Sequence, residues 1–124
     1  MLSFIFRWRY AIALLLTAIT IVLSVMPANS IQSTSLINIP HMDKIGHSVA
    51  YFTLGFSWYL VFNAMKNKGI KTLIFLFSLG MLIELTQFYF LVGRYFEILD
   101  IIANISGAIL GIALGSLLYR KKLP

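Results

Sequence analysis

The chain has 124 residues, of which 60% are hydrophobic and 11% are charged, with a net charge of +6 and a mean hydropathy of +0.90. An ordinary soluble domain is roughly 45–50% apolar and about 25% charged, so this composition excludes that class and indicates a membrane protein. Long apolar runs, each near the roughly 20 residues that span a bilayer, fill most of the length and leave room for a single domain over 1–124.

The first predicted transmembrane helix is an uncharged run over 10–26, which follows Arg7 and Arg9. A cleaved signal peptide is the alternative, because a basic start before an apolar region is typical of both. The run is longer than the usual 7–15 residues of a signal peptide, and the positions around Pro27 make poor cleavage sites. A transmembrane helix is therefore favoured.

The remaining chain alternates polar breaks with apolar runs. A Ser-, Thr- and Asn-rich stretch between Pro27 and Pro40 predicts a loop over 27–42. Further helices are predicted at 43–63, 72–92 and 100–119, with a basic turn at 66–71 and a loop at 93–100 between them. These elements predict an all-α membrane protein with four transmembrane helices.

Eight of the ten Lys and Arg residues flank the predicted helices on one side: Arg7, Arg9, Lys66, Lys68, Lys71, Arg120, Lys121 and Lys122. The positive-inside rule then places both termini in the cytoplasm. Short basic clusters beside apolar runs explain the net charge, so no nucleic-acid partner is predicted. The acids lie toward the opposite side, which predicts a polar site that faces outward: Asp43, Glu84, Glu97 and Asp100.

Glu84 stands inside an apolar helix, where a charge costs several kcal/mol unless it is paired or protonated. Gly80, Glu84 and Gln87 share one helix face by their spacing. An acid at this depth is more often functional or paired than idle. Its candidate partners come from the other predicted elements: Lys44, His47, Arg94 and Asn104.

The second predicted helix carries Asp43 and His47 four residues apart, with Lys44 and Tyr51 on an adjacent stripe. This pattern predicts polar side chains that descend from the helix end toward the level of Glu84. Solvated contacts with lipid headgroups are the alternative for Asp43 and Lys44.

On the fourth predicted helix, Asp100 and Asn104 share a face that continues through Gly107, Gly111 and Gly115. Glycines at this spacing let a neighbouring helix approach closely, so we predict that they pack helices together. Asp100 has an alternative as a plain helix N-cap.

Catalytic and metal motifs are weak in this sequence. His41, Asp43, His47 and Glu84 are zinc-ligand types, but their spacing matches no specific motif, so neither a metal nor a cofactor is predicted. A Ser48–His47–Asp43 triad is excluded, because adjacent residues on a helix point apart. The absence of Cys excludes thiolate chemistry.

The polar positions follow the order Asp43-Lys44-x-x-His47-x-x-x-Tyr51, Glu84-x-x-Gln87, Arg94, then Asp100-x-x-x-Asn104-x-x-Gly107-x-x-x-Gly111. Over roughly 41–115 this pattern resembles the VanZ-like family of small bacterial membrane proteins. The resemblance implies a multi-pass helical protein of the bacterial cytoplasmic membrane. It also implies a link to resistance to teicoplanin, a lipid-tailed glycopeptide, but no defined reaction. One departure is that the loop over 93–100 lacks the Pro associated with the segment before the family's Arg.

Three functions remain open from the sequence. The favoured one is binding of a lipid headgroup or lipid-linked cell-wall precursor at the outer leaflet, with Lys44, His47 and Arg94 on phosphate. The second is an intramembrane enzyme that modifies an envelope lipid, with Glu84 or His47 as general acid or base. The third is a structural interaction module. The candidate binding residues are Asp43, Lys44, His47, Tyr51, Glu84, Gln87, Arg94, Asp100 and Asn104.

Overall fold

The computed structural model describes residues 1–26, 42–91 and 96–122, and within them the chain is helical, as predicted. The described residues form five α-helices: α1 Leu2–Arg7, α2 Arg9–Val25, α3 Met42–Val61, α4 Lys68–Phe90 and α5 Ile98–Lys122. The loop predicted at 27–42 lies outside the described residues except for Met42. Residues 92–95, which include Arg94, also lie outside them.

The largest differences from the predicted helices lie at the N-terminus and at the start of α4. The chain is already helical at Leu2, where no helix was predicted, and it breaks at Trp8 before α2 begins. The Arg9 guanidinium donates a hydrogen bond of 2.8 Å to the Phe6 carbonyl, which satisfies an otherwise free acceptor at the end of α1. Helix α4 begins at Lys68 rather than at 72, because Asn67 adopts a left-handed φ of 54° and turns the chain just before it.

Helices α3 and α5 form the tightest pair, and they run in the same direction. Gly107 lies against the Ser48 backbone, and one turn further on Gly111 lies against the Phe52 backbone. From the α3 side, Gly55 lies against the Ala108 backbone. Glycine removes the Cβ atoms that would hold these backbones apart, so the two helices touch through main-chain atoms.

Helices α2 and α4 run opposite to this pair and close the bundle around it. The Trp58 indole of α3 donates a hydrogen bond of 2.9 Å to the Thr17 hydroxyl of α2. The Gln87 amide of α4 donates one of 2.6 Å to the Ser24 carbonyl near the end of α2. The core between the helices contains Tyr51, Leu54, Leu76 and Ala108.

The outward faces of the helices are apolar rather than charged. Large aliphatic side chains on them are more than half exposed, for example Leu15 at 62% on α2, Leu82 at 64% on α4 and Leu110 at 62% on α5. A soluble monomer does not expose apolar surface on this scale, whereas lipid covers it. By length and composition, α4 and most of α5 can cross a membrane, and α2 is an apolar helix of 17 residues.

Candidate functional site

The acidic residues and Lys44 meet at one end of the bundle, where α3 and α5 begin and α4 ends. Lys44 of α3 holds this end together through ion pairs with three carboxylates. Its ammonium lies 2.6 Å from Asp43 and 3.0 Å from Asp100, and it also contacts Glu97. The Asp43 and Glu97 side chains are 56% and 46% exposed, so we call Asp43, Lys44 and Glu97 the mouth of the site.

Below the mouth, His47 and Ser48 connect α3 to α5. The His47 Nδ1 atom lies 2.9 Å from the Asn104 side-chain oxygen, which accepts a hydrogen bond from the ring. The Ser48 hydroxyl donates a bond of 3.1 Å to the Ala103 carbonyl. Both bonds lie beside Gly107, where the two helices touch. Close helix packing thereby fixes the position of the imidazole.

Glu84 of α4 lies deepest and is only 1% exposed. It has an interaction within the folded chain, as an acid at this depth requires. One ligand atom each from His47, Glu84 and Asp100 lies within 4.8 Å of the others. We call these three residues the inner group. Three helices each contribute one member, so the group exists only in the folded bundle.

Tyr51 lies next to the inner group and is 3% exposed. Its hydroxyl has no hydrogen-bond partner among the described residues, and it interacts electrostatically with the Glu84 carboxylate. A Cβ atom on Gly80 would lie 3.1 Å from the Asn104 amide nitrogen and 3.2 Å from the Tyr51 hydroxyl. Glycine at this position therefore lets both polar groups approach α4. They line a void of about 10 Å³, which has room for about one water molecule.

The structure brings most of the predicted site residues together. Gln87 is the exception among those it describes, because its amide binds α2 through the Ser24 carbonyl. Arg94 lies outside the described residues. Asp100 lies in the first turn of α5 rather than at its N-cap, and it faces Lys44.

Glu97 belongs to the mouth; it was predicted to lie with the outward-facing acids but was not among the candidate binding residues. Its position three residues before Asp100 was the available signal, because that spacing places two acids on one side of a helix start. The predicted packing glycines Gly107, Gly111 and Gly115 lie against α3.

The described part of the site is acidic. Lys44 is one positive charge among four carboxylates, those of Asp43, Glu84, Glu97 and Asp100. The mouth can accept hydrogen bonds from hydroxyl and amine groups, and Lys44 can pair with an anion that competes with its carboxylates. The inner group combines an imidazole with two carboxylates, which is a set suited to proton transfer or cation binding.

The chain is similar to known proteins over most of its length. An uncharacterized protein of the fission yeast Schizosaccharomyces pombe, C11E3.10, is 29% identical over 117 residues, which cover 93% of this chain and 71% of that protein. This relative is a yeast protein, whereas the resemblance in the sequence implied a bacterial one. No solved structure matches the chain. The sequence profile of the VanZ/LLP1 family matches residues 1–119, and the chain therefore belongs to the VanZ/LLP1 family.

Proposed function

We propose that this protein crosses the membrane four times and binds the polar headgroup of a membrane lipid, or of a lipid-linked precursor, at the mouth. The observation that carries this proposal is that the four carboxylates of the chain gather around Lys44 at one end of a bundle whose outward faces are apolar. Headgroups lie at this depth, at the boundary between hydrocarbon and water. A site that opens at a helix end is therefore placed to meet them.

The direction of the helices supports four crossings with cytoplasmic termini. Helices α2 to α5 alternate in direction, as consecutive spans must, and the basic residues flank the ends away from the mouth. A reporter fused after Lys122 should be cytoplasmic, and one inserted at residue 35 should lie on the other side. An external reporter after Lys122 would overturn the outward-facing assignment.

The mouth suits a headgroup with a phosphate and with hydroxyl or amine groups. The half-exposed Asp43 and Glu97 accept hydrogen bonds from hydroxyl or amine groups, and a phosphate reaches Lys44 by displacing one of its carboxylates. In a bacterial host this chemistry includes lipid-linked cell-wall precursors. A difference in teicoplanin susceptibility between cells with and without the protein tests that link.

The test of headgroup binding is the lipid that co-purifies with the intact protein. Mass spectrometry should find one lipid class enriched over the bulk membrane, and Lys44→Met should remove the enrichment. Lys66→Met is the matched control, because it removes the same charge from an exposed residue at the other end of the bundle. Equal lipid profiles for wild type and Lys44→Met would refute headgroup binding at the mouth.

A lipid-modifying enzyme is the second candidate, and the inner group is the observation that favours it. An imidazole and two carboxylates within 4.8 Å of one another form an acid–base set beneath the lipid-facing mouth. The purified protein should then convert a labelled membrane lipid, and His47→Ala should stop the reaction. Lipid enrichment without turnover would leave binding as the function.

The third candidate, a purely structural role, makes a separate prediction. An amide replaces most hydrogen bonds of a protonated acid, so Glu84→Gln should then keep both the fold and the cellular phenotype. Loss of the phenotype at normal membrane abundance would refute the structural role.

A further inference from the structure

The acids of this protein belong to two sets of side chains that share Asp100, and the two sets differ in their contacts with Lys44. Two sets of three side chains bring ligand atoms within 4.8 Å: Asp43 with Glu97 and Asp100, and His47 with Glu84 and Asp100. In the first set, the Lys44 ammonium already contacts all three carboxylates. A lysine in that position neutralises the set and occupies the place that a cation would take.

Lys44 contacts one of the three members of the inner group, Asp100. Among the ion pairs of the described residues, Lys44 touches one atom of this group, the Asp100 Oδ1 atom. A carboxylate has two oxygens and can serve two positive partners, so the contact with Lys44 does not prevent Asp100 from binding a cation. A divalent cation held by both carboxylates would be attracted to each of them.

The distances are close to those of a metal site. Bonds from zinc to nitrogen or oxygen are about 2.0–2.2 Å, so its ligand atoms lie about 3–4 Å apart. The inner group spans at most 4.8 Å, and rotamer adjustments on the order of 1 Å close the difference. Each ligand comes from a different helix, and α3 and α5 are held in register by their glycine contacts.

His47 is oriented in the manner of a metal ligand. Its Nδ1 atom pairs with the Asn104 oxygen at 2.9 Å, and an amide oxygen accepts a proton but cannot donate one. The Nδ1 atom therefore carries the hydrogen, which leaves the lone pair on Nε2 for coordination. Metal-binding histidines almost always have such a partner on the other ring nitrogen.

Tyr51 provides an independent sign that something polar belongs beside the group. Its hydroxyl is buried, has no hydrogen-bond partner among the described residues and interacts electrostatically with Glu84. Buried hydroxyls without partners are rare in folded proteins. A water bound to a cation in the inner group would give this hydroxyl a partner.

We propose that His47, Glu84 and Asp100 bind one first-row divalent cation of the zinc type, with Asn104 as a positioning residue for His47. One imidazole and two carboxylates suit such a cation, and three protein ligands leave a position open for water or a ligand. The proposal goes beyond headgroup binding, because the cation can be measured without any lipid.

The test uses the full chain in detergent, stripped with a chelator and titrated with Co²⁺ as a coloured probe for Zn²⁺. We expect one Co²⁺ per chain and its displacement by Zn²⁺. His47→Ala should weaken binding more than about 100-fold, and Asn104→Ala about 10–100-fold, as expected for a residue that orients a ligand. Failure of the wild type to bind one equivalent would overturn the proposal.

Asp100→Asn and Asp43→Asn form a matched pair, because both acids contact Lys44 and only Asp100 belongs to the inner group. Asp100→Asn should weaken binding as His47→Ala does, and Asp43→Asn should leave it within about threefold of wild type. Equal losses in the pair would place the cation at the mouth and overturn the assignment.

A measurement on the wild type covers the case in which a variant fails to fold. Diethyl pyrocarbonate modifies free imidazoles, and mass spectrometry locates the modified residue. Zn²⁺ at the inner group should protect His47, whereas unchanged modification of His47 in saturating Zn²⁺ would overturn the proposal. Cation binding and lipid enrichment are separate readouts, so the failure of one leaves the other standing.

Discussion

Substitution of Gly107 by Ala should separate the two helices that carry the site. The added Cβ atom would lie 2.9 Å from the carbonyl carbon of Ser48 and 3.0 Å from its Cα atom, and still closer to its carbonyl oxygen. Carbon atoms normally pack at about 3.5–4.0 Å. Both sides of this contact are helix backbone, so neither can yield by a change of rotamer, and α3 must move away from α5.

The size of the effect follows from two opposing terms. Overpacking a tight interface costs about 1–3 kcal/mol, and a contact between two backbones belongs at the upper end, about 3 kcal/mol. Alanine gains about 1 kcal/mol over glycine in a helix interior. The expected net loss for Gly107→Ala is therefore about 2 kcal/mol.

Two other glycines provide graded controls. Gly46 lies within α3 and has no described atom within 4 Å of its Cβ position, so Gly46→Ala should stabilise the protein by about 0.5–1 kcal/mol. At Gly115 the nearest atom belongs to the Tyr59 ring, a side chain that can shift. Gly115→Ala should therefore fall between the other two variants.

The assay is thermal unfolding of the full chain in detergent, followed by the monomer fraction on size exclusion. The expected order of stability is Gly46→Ala, then Gly115→Ala, then Gly107→Ala. Gly107→Ala should also weaken headgroup enrichment, because the His47–Asn104 hydrogen bond lies beside this contact. A Gly107→Ala protein as stable as Gly46→Ala would refute the claim that backbone contact sets the helix spacing.

Three further substitutions test single contacts in the same thermal assay. Trp58→Phe removes the bond to Thr17 and should cost about 0.5–1 kcal/mol, the usual worth of a hydrogen bond between membrane helices; an unchanged melt would exclude that bond as a link to α2. Gln87→Leu removes the hydrogen bond to the Ser24 carbonyl and should destabilise the protein by a similar amount. A melting temperature equal to that of the wild type would show that this bond contributes nothing. Lys44→Met leaves three carboxylates without their shared cation and should destabilise the protein by about 1.5–3 kcal/mol, an effect that high salt reduces only partly.

The helices could be predicted from the sequence because their signal is local. Apolar runs mark the segments that become α2 to α5, and the largest shift of an end lies before α4, where Asn67 turns the chain. The short α1 was missed, because its aromatic residues resemble an interfacial segment. Its closing hydrogen bond from Arg9 has no local pattern in the sequence.

The site was partly predictable for a different reason. A charged residue in an apolar chain is so costly that it needs a partner, which is why Lys44 and His47 could be predicted as partners of Glu84. Which carboxylates contact Lys44 depends on the axial offset between α3 and α5. No local pattern in the sequence gives that offset. The role of Glu97 was missed on this account, and so was the attachment of Gln87 to α2.

The offset between α3 and α5 also explains why the close contact between these helices lies next to the polar site. Gly107 allows the helices to touch at Ser48, and this contact lies between the His47–Asn104 bond and the hydrophobic core. A larger residue at Gly107 would push α3 away from α5 and so separate the ligand atoms of the inner group. The glycines of α5 are therefore as necessary to the site as the charged residues, although they contribute no polar side chain to it.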